Sequence, residues 1–371
     1  WVSIMAPKHK QWTTGMDGIS KLKLEEADIP TPRDGEVLVK IHAVSLNYRD
    51  IEVCSGEYDH HKTVGTAKDS IVPCSDMCGT VIASSSPRLK QGTRVMAIFN
   101  QSHLSGAIKV SDMATGLGFP LPGVLAQHRV FPAESLVVVP DYMTPEEASC
   151  LPIASVTAWT SLTWRSALNP KEAALNPKDT VLFQGTGGVS IAGLQIAKAA
   201  GLRAIITSSD DEKLARAKND LRADEGVNYR THWQWQEAVM KATDNRGADI
   251  IFETGGTKTL RKSFACVAFG GLINCIGYLS GKTDDDNEGG GKEPELHRLN
   301  VNVLALRRNV TLKGIINGSR DDFEAMVRFY EKNEIRPVIS KTFRFEEAKE
   351  ALQYVADGQH FGKVVIKIDD E

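Results

Sequence analysis

The run Thr180-Val-Leu-Phe-Gln-Gly-Thr-Gly-Gly-Val-Ser190 decides the fold. Thr180 to Gln184 is short and apolar, as a buried strand is. Gly185-Thr186-Gly187-Gly188-Val189-Ser190 follows without a spacer. The periodic stretch from Val189 to Ala200, stopped by Gly201, predicts a helix. Gly185 permits a tight strand-to-helix turn, and Gly187 lets the backbone approach a pyrophosphate. The small Ser190 at the third position suits close helix packing. Phosphates sit at the positive N-terminus of such a helix. A Gly-x-Gly-x-x-Ser string alone is a weak signal. Between a strand and a helix it is a strong dinucleotide signal.

Downstream of the turn, strands are predicted at Arg203–Thr207, Asp249–Glu253, Gly271–Ile276 and Asn309–Ile316, with a helix at Glu212–Asn219. This alternation predicts a parallel sheet covered by helices, an α/β unit of Rossmann type. Upstream, Glu36–Ser45, Gly79–Ala83, Arg94–Phe99, Arg129–Phe131 and Ser135–Val139 read as short strands between Gly and Pro, a barrel-like or sandwich-like unit. Pro145 behind Thr144 opens a helix, and Val156–Ala167 predicts another. The tail adds helices at Arg320–Asn333 and Phe345–Ala356 and a strand at Lys363–Lys367. So short a tail is expected to return to the first domain. The expected division is residues 1–155 with 317–371, and residues 156–316 for the dinucleotide. The acidic, glycine-rich stretch Asp284–Lys292 reads as a surface loop.

The 371 residues suit two domains. A net charge of −3, from 44 basic and 47 acidic residues, gives no global attraction to nucleic acid or an anionic membrane. No apolar stretch is long enough to span a bilayer. Trp1–Trp12 lacks the pattern of a secretory signal, so the expected compartment is the cytosol. The six cysteines are scattered without a C-x-x-C pair, which argues against a zinc ribbon or a disulfide framework.

The second strand of the α/β unit ends Ile205-Ile206-Thr207-Ser208-Ser209. An NAD enzyme usually places an acid there, on the ribose 2′-hydroxyl. Hydroxyls at Ser208 and Ser209, with Lys213 one helical turn on, suit a 2′-phosphate. Asp210 and Asp211 keep a second reading open. They are either the cap and first-turn acids of a helix or, for Asp210, a ribose ligand. The expected cofactor is NADP(H).

These motifs resemble the medium-chain dehydrogenase/reductase superfamily, most of all its zinc-lacking, quinone-reductase-like and alcohol dehydrogenase-like branch. The resemblance runs over Leu46-Asn-Tyr-Arg-Asp50, Val72-Pro-Cys-Ser-Asp76, Val156-Thr-Ala-Trp159 and Gln184–Ser190. It continues through Thr207-Ser-Ser-Asp210, Asp211-Glu-Lys-Leu214, Val227-Asn-Tyr-Arg230, Gly318–Met326 and His360-Phe-Gly-Lys-Val-Val365. It implies a GroES-like β-barrel domain completed by the C-terminal segment, and a central Rossmann domain with a doubly wound parallel sheet. It implies Ser208, Lys213 and Tyr229 at the 2′-phosphate. Gly185 to Val189, Ser209, Thr157, Gly277, Ser319, Arg320 and Lys363 complete the expected cofactor contacts. For Ser319 a helix cap is an equal account. Lys213 also reads as a solvated helix lysine, and Tyr229 as a strand-end aromatic.

Zinc-dependent members hold a catalytic metal with Cys, a His-Glu pair and a second Cys. The matching positions here are Asn47, Ser75-Asp76 and Ile153, with Cys150 three residues from the last. Ser and Asn are poor zinc ligands. Cys74, Asp76 and Cys78 lack a completing cluster, and His60 and His61 read as loop residues. No metal is expected.

Without a Lewis acid the substrate must be electrophilic already, or a protein donor must polarise it. Conjugate reduction of an enone, enal or quinone fits best, and reduction of a carbonyl or its reverse is the alternative. In relatives the segment Asn47–Asp50 lines the nicotinamide pocket. Tyr48 is a candidate general acid and Asn47 a candidate donor, while Arg49 and Asp50 read as a structural ion pair or cap. A non-catalytic NADPH-binding protein and a zinc alcohol dehydrogenase are the competing classes. The substrate is expected to be a small molecule. The apolar edge Val310–Ile316 predicts a homodimer.

Overall fold

A computed structural model describes residues 7–58, 70–168, 178–282 and 300–368. The acidic loop at 284–292, His60 and His61 lie outside them. The chain divides into two compact units, Trp1–Val156 with Asn317–Glu371, and Thr157–Ile316.

The first unit opens with an antiparallel pair, β1 (Lys8–Thr13) and β2 (Lys23–Asp28). Then come β3 (Glu36–Ser45), α1 (Tyr48–Ser55), β4 (Asp76–Ser84), β5 (Arg94–Ala97), α2 (Val110–Met113), β6 (His128–Pro132), β7 (Leu136–Val138) and α3 (Pro145–Ser149). Thr144 caps α3: its hydroxyl accepts the Glu147 N–H, and Pro145 takes the first helical position. A π-turn, Leu151–Ser155, leads into α4 (Val156–Leu168).

The second unit continues with β8 (Thr180–Phe183), α5 (Gly188–Ala199), β9 (Arg203–Ser208), α6 (Asp211–Leu221), β10 (Glu225–Asn228) and α7 (Trp235–Ala242). It ends with β11 (Ala248–Glu253), α8 (Leu260–Cys266), β12 (Val267–Cys275), α9 (Val301–Arg308) and β13 (Thr311–Gly314). The chain then returns to the first unit through α10 (Arg320–Lys332), β14 (Ile339–Arg344), α11 (Ala348–Ala356) and β15 (Lys363–Lys367). No helix among the described residues is long and apolar enough to cross a membrane.

In the first unit seven strands form one sheet, in the order β14-β15-β3-β4-β5-β7 with β6 also on β3. β3 is long enough to serve two partners along one edge. Its first half, Glu36 to Lys40, pairs with β6, and its end, Ala43 to Ser45, pairs with β15. Register shifts at Leu38/Val39 and Ile41/Ala43 bend the β3–β4 ladder. The bent sheet wraps a core of Val37, Val39, Ile41, Met77, Leu125 and Phe131, closed by Leu352 and Val355 of α11.

In the second unit all six strands are parallel, ordered β10-β9-β8-β11-β12-β13. Counted from β8, that is 3-2-1-4-5-6, the doubly wound order whose direction reverses between β8 and β11. Val181, Leu182 and Phe183 are all buried because helices cover both faces. Leu182, Ile205, Ile251 and Ile273 share one core with Val239 and Phe264. Phe183 meets Phe252 edge-on at 4.7 Å.

Some elements depart from the sequence reading. The strand expected at Gly271–Ile276 starts earlier, at Val267. The helix expected at Phe345–Ala356 begins as a 3₁₀ turn, Phe345–Glu347, before α11. Helices α1, α2, α7, α8 and α9 had no counterpart in that reading.

Candidate functional site

In the second unit β8 delivers Gln184 and Gly185 to the point where the sheet order reverses. Gly185 has φ +73, a left-handed conformation that a side chain would strain, and a Cβ there would meet nothing within 4 Å. Gly187 is the N-cap of α5 and offers no side chain to its N–H groups. The turn therefore leaves open backbone donors at a positive helix end, which fits a dinucleotide pyrophosphate. Thr186, Gly188 and Val189 belong to the same turn.

Ser190 is buried. Its hydroxyl donates to the Gln184 carbonyl at 2.7 Å and ties the turn shut. Close packing belongs to Gly193, where a Cβ would stand 2.6 Å from the Phe183 ring and 2.9 Å from the Phe252 ring.

The ends of β9 and β10 join this turn. The Gly185 N–H donates to Thr207 Oγ1 at 3.2 Å, and the Tyr229 N–H donates to the Ser208 carbonyl at 3.0 Å. Ser208 is buried, Ser209 and Lys213 are half-buried and Tyr229 is exposed. Asp210 caps α6: its Oδ1 accepts the Glu212 and Lys213 N–H groups at 2.8 and 3.0 Å. Asp211 accepts from the Asn228 amide at 2.8 Å. Gly277 follows β12 at the same end of the sheet, its N–H on the Glu253 carbonyl. Thr157 is buried near the start of α4, where its carbonyl accepts the Ser161 hydroxyl at 2.7 Å.

A buried carboxylate that sequence reasoning missed organises this edge. Glu253 ends β11 and accepts from the Gln184 amide (2.8 Å), the Ser263 hydroxyl (2.5 Å), the Gly255 and Gly256 N–H groups (3.0 Å each) and the Thr259 hydroxyl. Gln184 Oε1 in turn accepts the Thr254 N–H at 3.2 Å. The available signal was an acid ending the apolar run Ile250-Ile251-Phe252, since unpaired acids are seldom buried.

In the first unit Asn47 is the N-cap of α1, and Asp50 Oδ2 reaches back to the Asn47 N–H at 2.8 Å. Arg49 donates to the Leu117 carbonyl at 3.0 Å and the Phe119 carbonyl at 3.4 Å, lies 3.5 Å from Asp50, and covers the Tyr58 and Phe99 rings. Arg49 and Asp50 thus hold the helix start to a neighbouring loop. Burial pushes the Asp50 carboxyl up to about 6, against the pull of Arg49 and the Asn47 N–H. Tyr48 is the exposed member of the group, at 46 %.

Lys363 reaches into the same cluster from β15. Its Nζ lies 2.6 Å from the Leu46 carbonyl, 2.6 Å from Asn47 Oδ1 and 3.5 Å from Asp76 Oδ2. These contacts give Lys363 a role inside this unit that its expected cofactor contact did not include. Burial raises the Asp76 pKa, while Lys363, Asn47 and the Ile153 N–H oppose the rise. Ser319 caps α10, its hydroxyl accepting the Asp322 N–H at 3.2 Å. Arg320 pairs with Glu134 at 2.7 Å. Asn47, Tyr48 and Lys363 therefore come together, and these contacts hold Ser319 and Arg320 to another part of the unit.

The positions expected from the resemblance to match zinc ligands carry Asn47, Ser75, Asp76 and Ile153. Burial pushes the nearby Cys150 thiol up to about 12. The described residues contain no group of three or more His, Cys, Asp or Glu able to hold a metal ion. An ammonium sits among the available oxygens instead. This donor set does not fit a catalytic zinc.

Comparison with known proteins gives this geometry a family. Residues 33–141 match the alcohol dehydrogenase GroES-like domain, and residues 188–332 match the zinc-binding dehydrogenase family. A zinc-type alcohol dehydrogenase-like protein of Schizosaccharomyces pombe is 37% identical over 359 residues, covering 95% of this chain and 97% of its own. An acryloyl-coenzyme A reductase of Metallosphaera sedula is 26% identical, over 93% of this chain and 96% of its own. The crystal structure of a candidate alcohol dehydrogenase of Sinorhizobium meliloti superposes with a TM-score of 0.82 at 36% identity, covering 98% of this chain and 100% of its own. The GroES-like and Rossmann-like architecture is common to these matches and to the units described above. The chain belongs to the medium-chain dehydrogenase/reductase superfamily of oxidoreductases.

Proposed function

We propose that the protein is an NADPH-dependent, zinc-independent reductase of small, activated C=C substrates: enones, enals or quinones. The observation that carries the cofactor choice is the end of β9. It offers Ser208 and, one helical turn on, Lys213, while one oxygen of the Asp210 carboxylate, Oδ1, is taken up by the cap of α6. A ribose 2′-hydroxyl would lack its usual acid there, and a 2′-phosphate would find hydroxyls and an ammonium. The bound dinucleotide supplies a hydride. Backbone N–H groups of Gly187 to Val189 hold the pyrophosphate, and Ser208, Lys213 and Tyr229 hold the 2′-phosphate. Asn47 donates a hydrogen bond to the substrate oxygen, and Tyr48 supplies a proton.

The donor set around Asn47 and Asp76 supports chemistry without a Lewis acid. Conjugate reduction then needs less acid assistance, because the developing charge is delocalised. The acryloyl-coenzyme A reductase relative is named for an unsaturated thioester, which favours the same reading. The alcohol dehydrogenase-like names of other relatives favour carbonyl reduction as the second reading.

Titration with NADPH and NADH tests the cofactor. NADPH is expected to bind more tightly, and Lys213→Ala to weaken it by about tenfold, the loss of one charge-assisted hydrogen bond, with NADH unchanged. Tighter NADH binding overturns the assignment. Oxidation of NADPH against a panel of enones, quinones, aldehydes and ketones separates the two reactions. Tight NADPH binding without any turnover would mark a non-catalytic protein. About one tightly bound zinc per chain would refute metal-free chemistry.

A further inference from the structure

A cation is already built into the cluster whose donors do not fit zinc. Lys363 stands on β15, between β14 and β3, with its side chain only 6 % exposed. An ammonium has three N–H donors and no acceptor. All three have oxygens to meet: the Leu46 carbonyl, Asn47 Oδ1 and Asp76 Oδ2.

The contact at 2.6 Å fixes the Asn47 amide. A flipped amide would set its NH₂ against the ammonium, donor against donor. Nδ2 is therefore the end that faces away from Lys363. It lies beside Asp76 but makes no well-aligned hydrogen bond, and it is buried. The Asp76 carboxylate gives this N–H only a poorly aligned acceptor, and an arriving substrate oxygen would compete for it. A cation on the amide oxygen also draws electron density from the nitrogen and strengthens that donor.

We propose that Lys363 is a positioning residue of the reduction site: its ammonium supplies the fixed positive charge that a metal supplies elsewhere, and it acts on the developing substrate oxyanion through the Asn47 amide. This rests on the reductase reading above. Asp76 keeps the ammonium from being an unpaired buried charge, and the β3–β15 ladder holds its stem in place.

The test is a double-mutant cycle between position 363 and Asn47. Lys363→Met combined with Asp76→Asn removes both charges together, so no carboxylate is stranded. Expected are near-wild-type melting, an NADPH Kd within about threefold, and a kcat about 100-fold lower with KM little changed, in the range of losing one oxyanion donor. Asn47→Ala should give a similar drop and add little on top of the charge-free pair, because both act through one donor. Lys363→Arg should recover part of kcat. Fully additive effects, or an unchanged kcat, overturn the proposal. An NADPH Kd weakened tenfold or more with kcat intact would instead place Lys363 at the cofactor.

A spectroscopic arm does not depend on turnover. The Asn47 side-chain amide pair, assigned by its loss in Asn47→Ala, should resonate away from the ordinary asparagine range and return to it in the charge-free pair. An ordinary shift in the wild type defeats the Lys363 assignment even if the enzyme turns over. A displaced shift without turnover of any panel substrate defeats the reductase reading, and the catalytic part of this proposal with it.

Discussion

Asp50 shows how one side chain carries both structure and pH dependence. It is fully buried, accepts the Asn47 N–H and faces Arg49. Burial outweighs both partners and moves its pKa from 3.8 to about 6. The native state therefore holds a proton that the unfolded chain has already released between those values. Asp50's contribution to stability is full below its unfolded pKa and is lost as pH rises through about 6. The rise corresponds to about 3 kcal/mol at 1.36 kcal/mol per tenfold change in proton affinity, as an order of magnitude. Asp50→Asn keeps an acceptor for the Asn47 N–H and cannot ionise. Its unfolding free energy should fall less steeply than the wild type's as pH rises from about 4 to 6.5. Chemical denaturation across that range checks this, and parallel curves for the two proteins would refute it. Asp76, whose pKa burial also raises, remains in both proteins, and its charge adds to the rise at Asp50.

At the scale of elements, the strand–turn–helix unit is held from beside rather than from within. Gly193 lets α5 lie close on the Phe183 and Phe252 rings. Ser190 ties the turn to Gln184, and Glu253 ties Gln184 to the end of β11. β8 and β11 are the pair at which the sheet order reverses, so this lock sits where doubly wound sheets bind ligands. Glu253→Gln sets a second amide against the Gln184 NH₂ while keeping an acceptor for the Gly255 and Gly256 N–H groups. One mispaired buried group costs roughly 1–3 kcal/mol. NADPH affinity is accordingly expected to drop about tenfold or more, with a modest loss in Tm, by fluorescence titration and thermal melting. Lowered Tm with unchanged NADPH affinity would confine Glu253 to a purely structural role.

For the whole molecule, legibility followed locality. β8, β9 and β11 were readable because each is an apolar run closed by turn residues, and the glycine turn lies within eleven consecutive positions. Helix α1 was not, because its buried face is Asp50, Glu52, Val53 and Cys54, a polar pattern that hides the period. Lys363 and Asn47 lie 316 residues apart, and Gln184 and Glu253 lie 69 apart, so no window along the chain contains either pair. Assembly poses the same kind of non-local question. β13 ends the six-stranded sheet, pairing through one edge with β12. Leu312 on β13 is partly exposed, and Phe269 on β12 and Leu306 on α9 are strongly exposed. An open edge flanked by apolar side chains invites strand pairing, and a second copy across a two-fold axis would close it without leaving a new edge. The protein is therefore expected to be a homodimer by light scattering at micromolar concentration. Leu312→Lys puts a charge on that edge and should shift the population to monomer without lowering NADPH affinity. A wild-type monomer at that concentration, or a Leu312→Lys dimer as tight as the wild type, would show that this edge is not the interface.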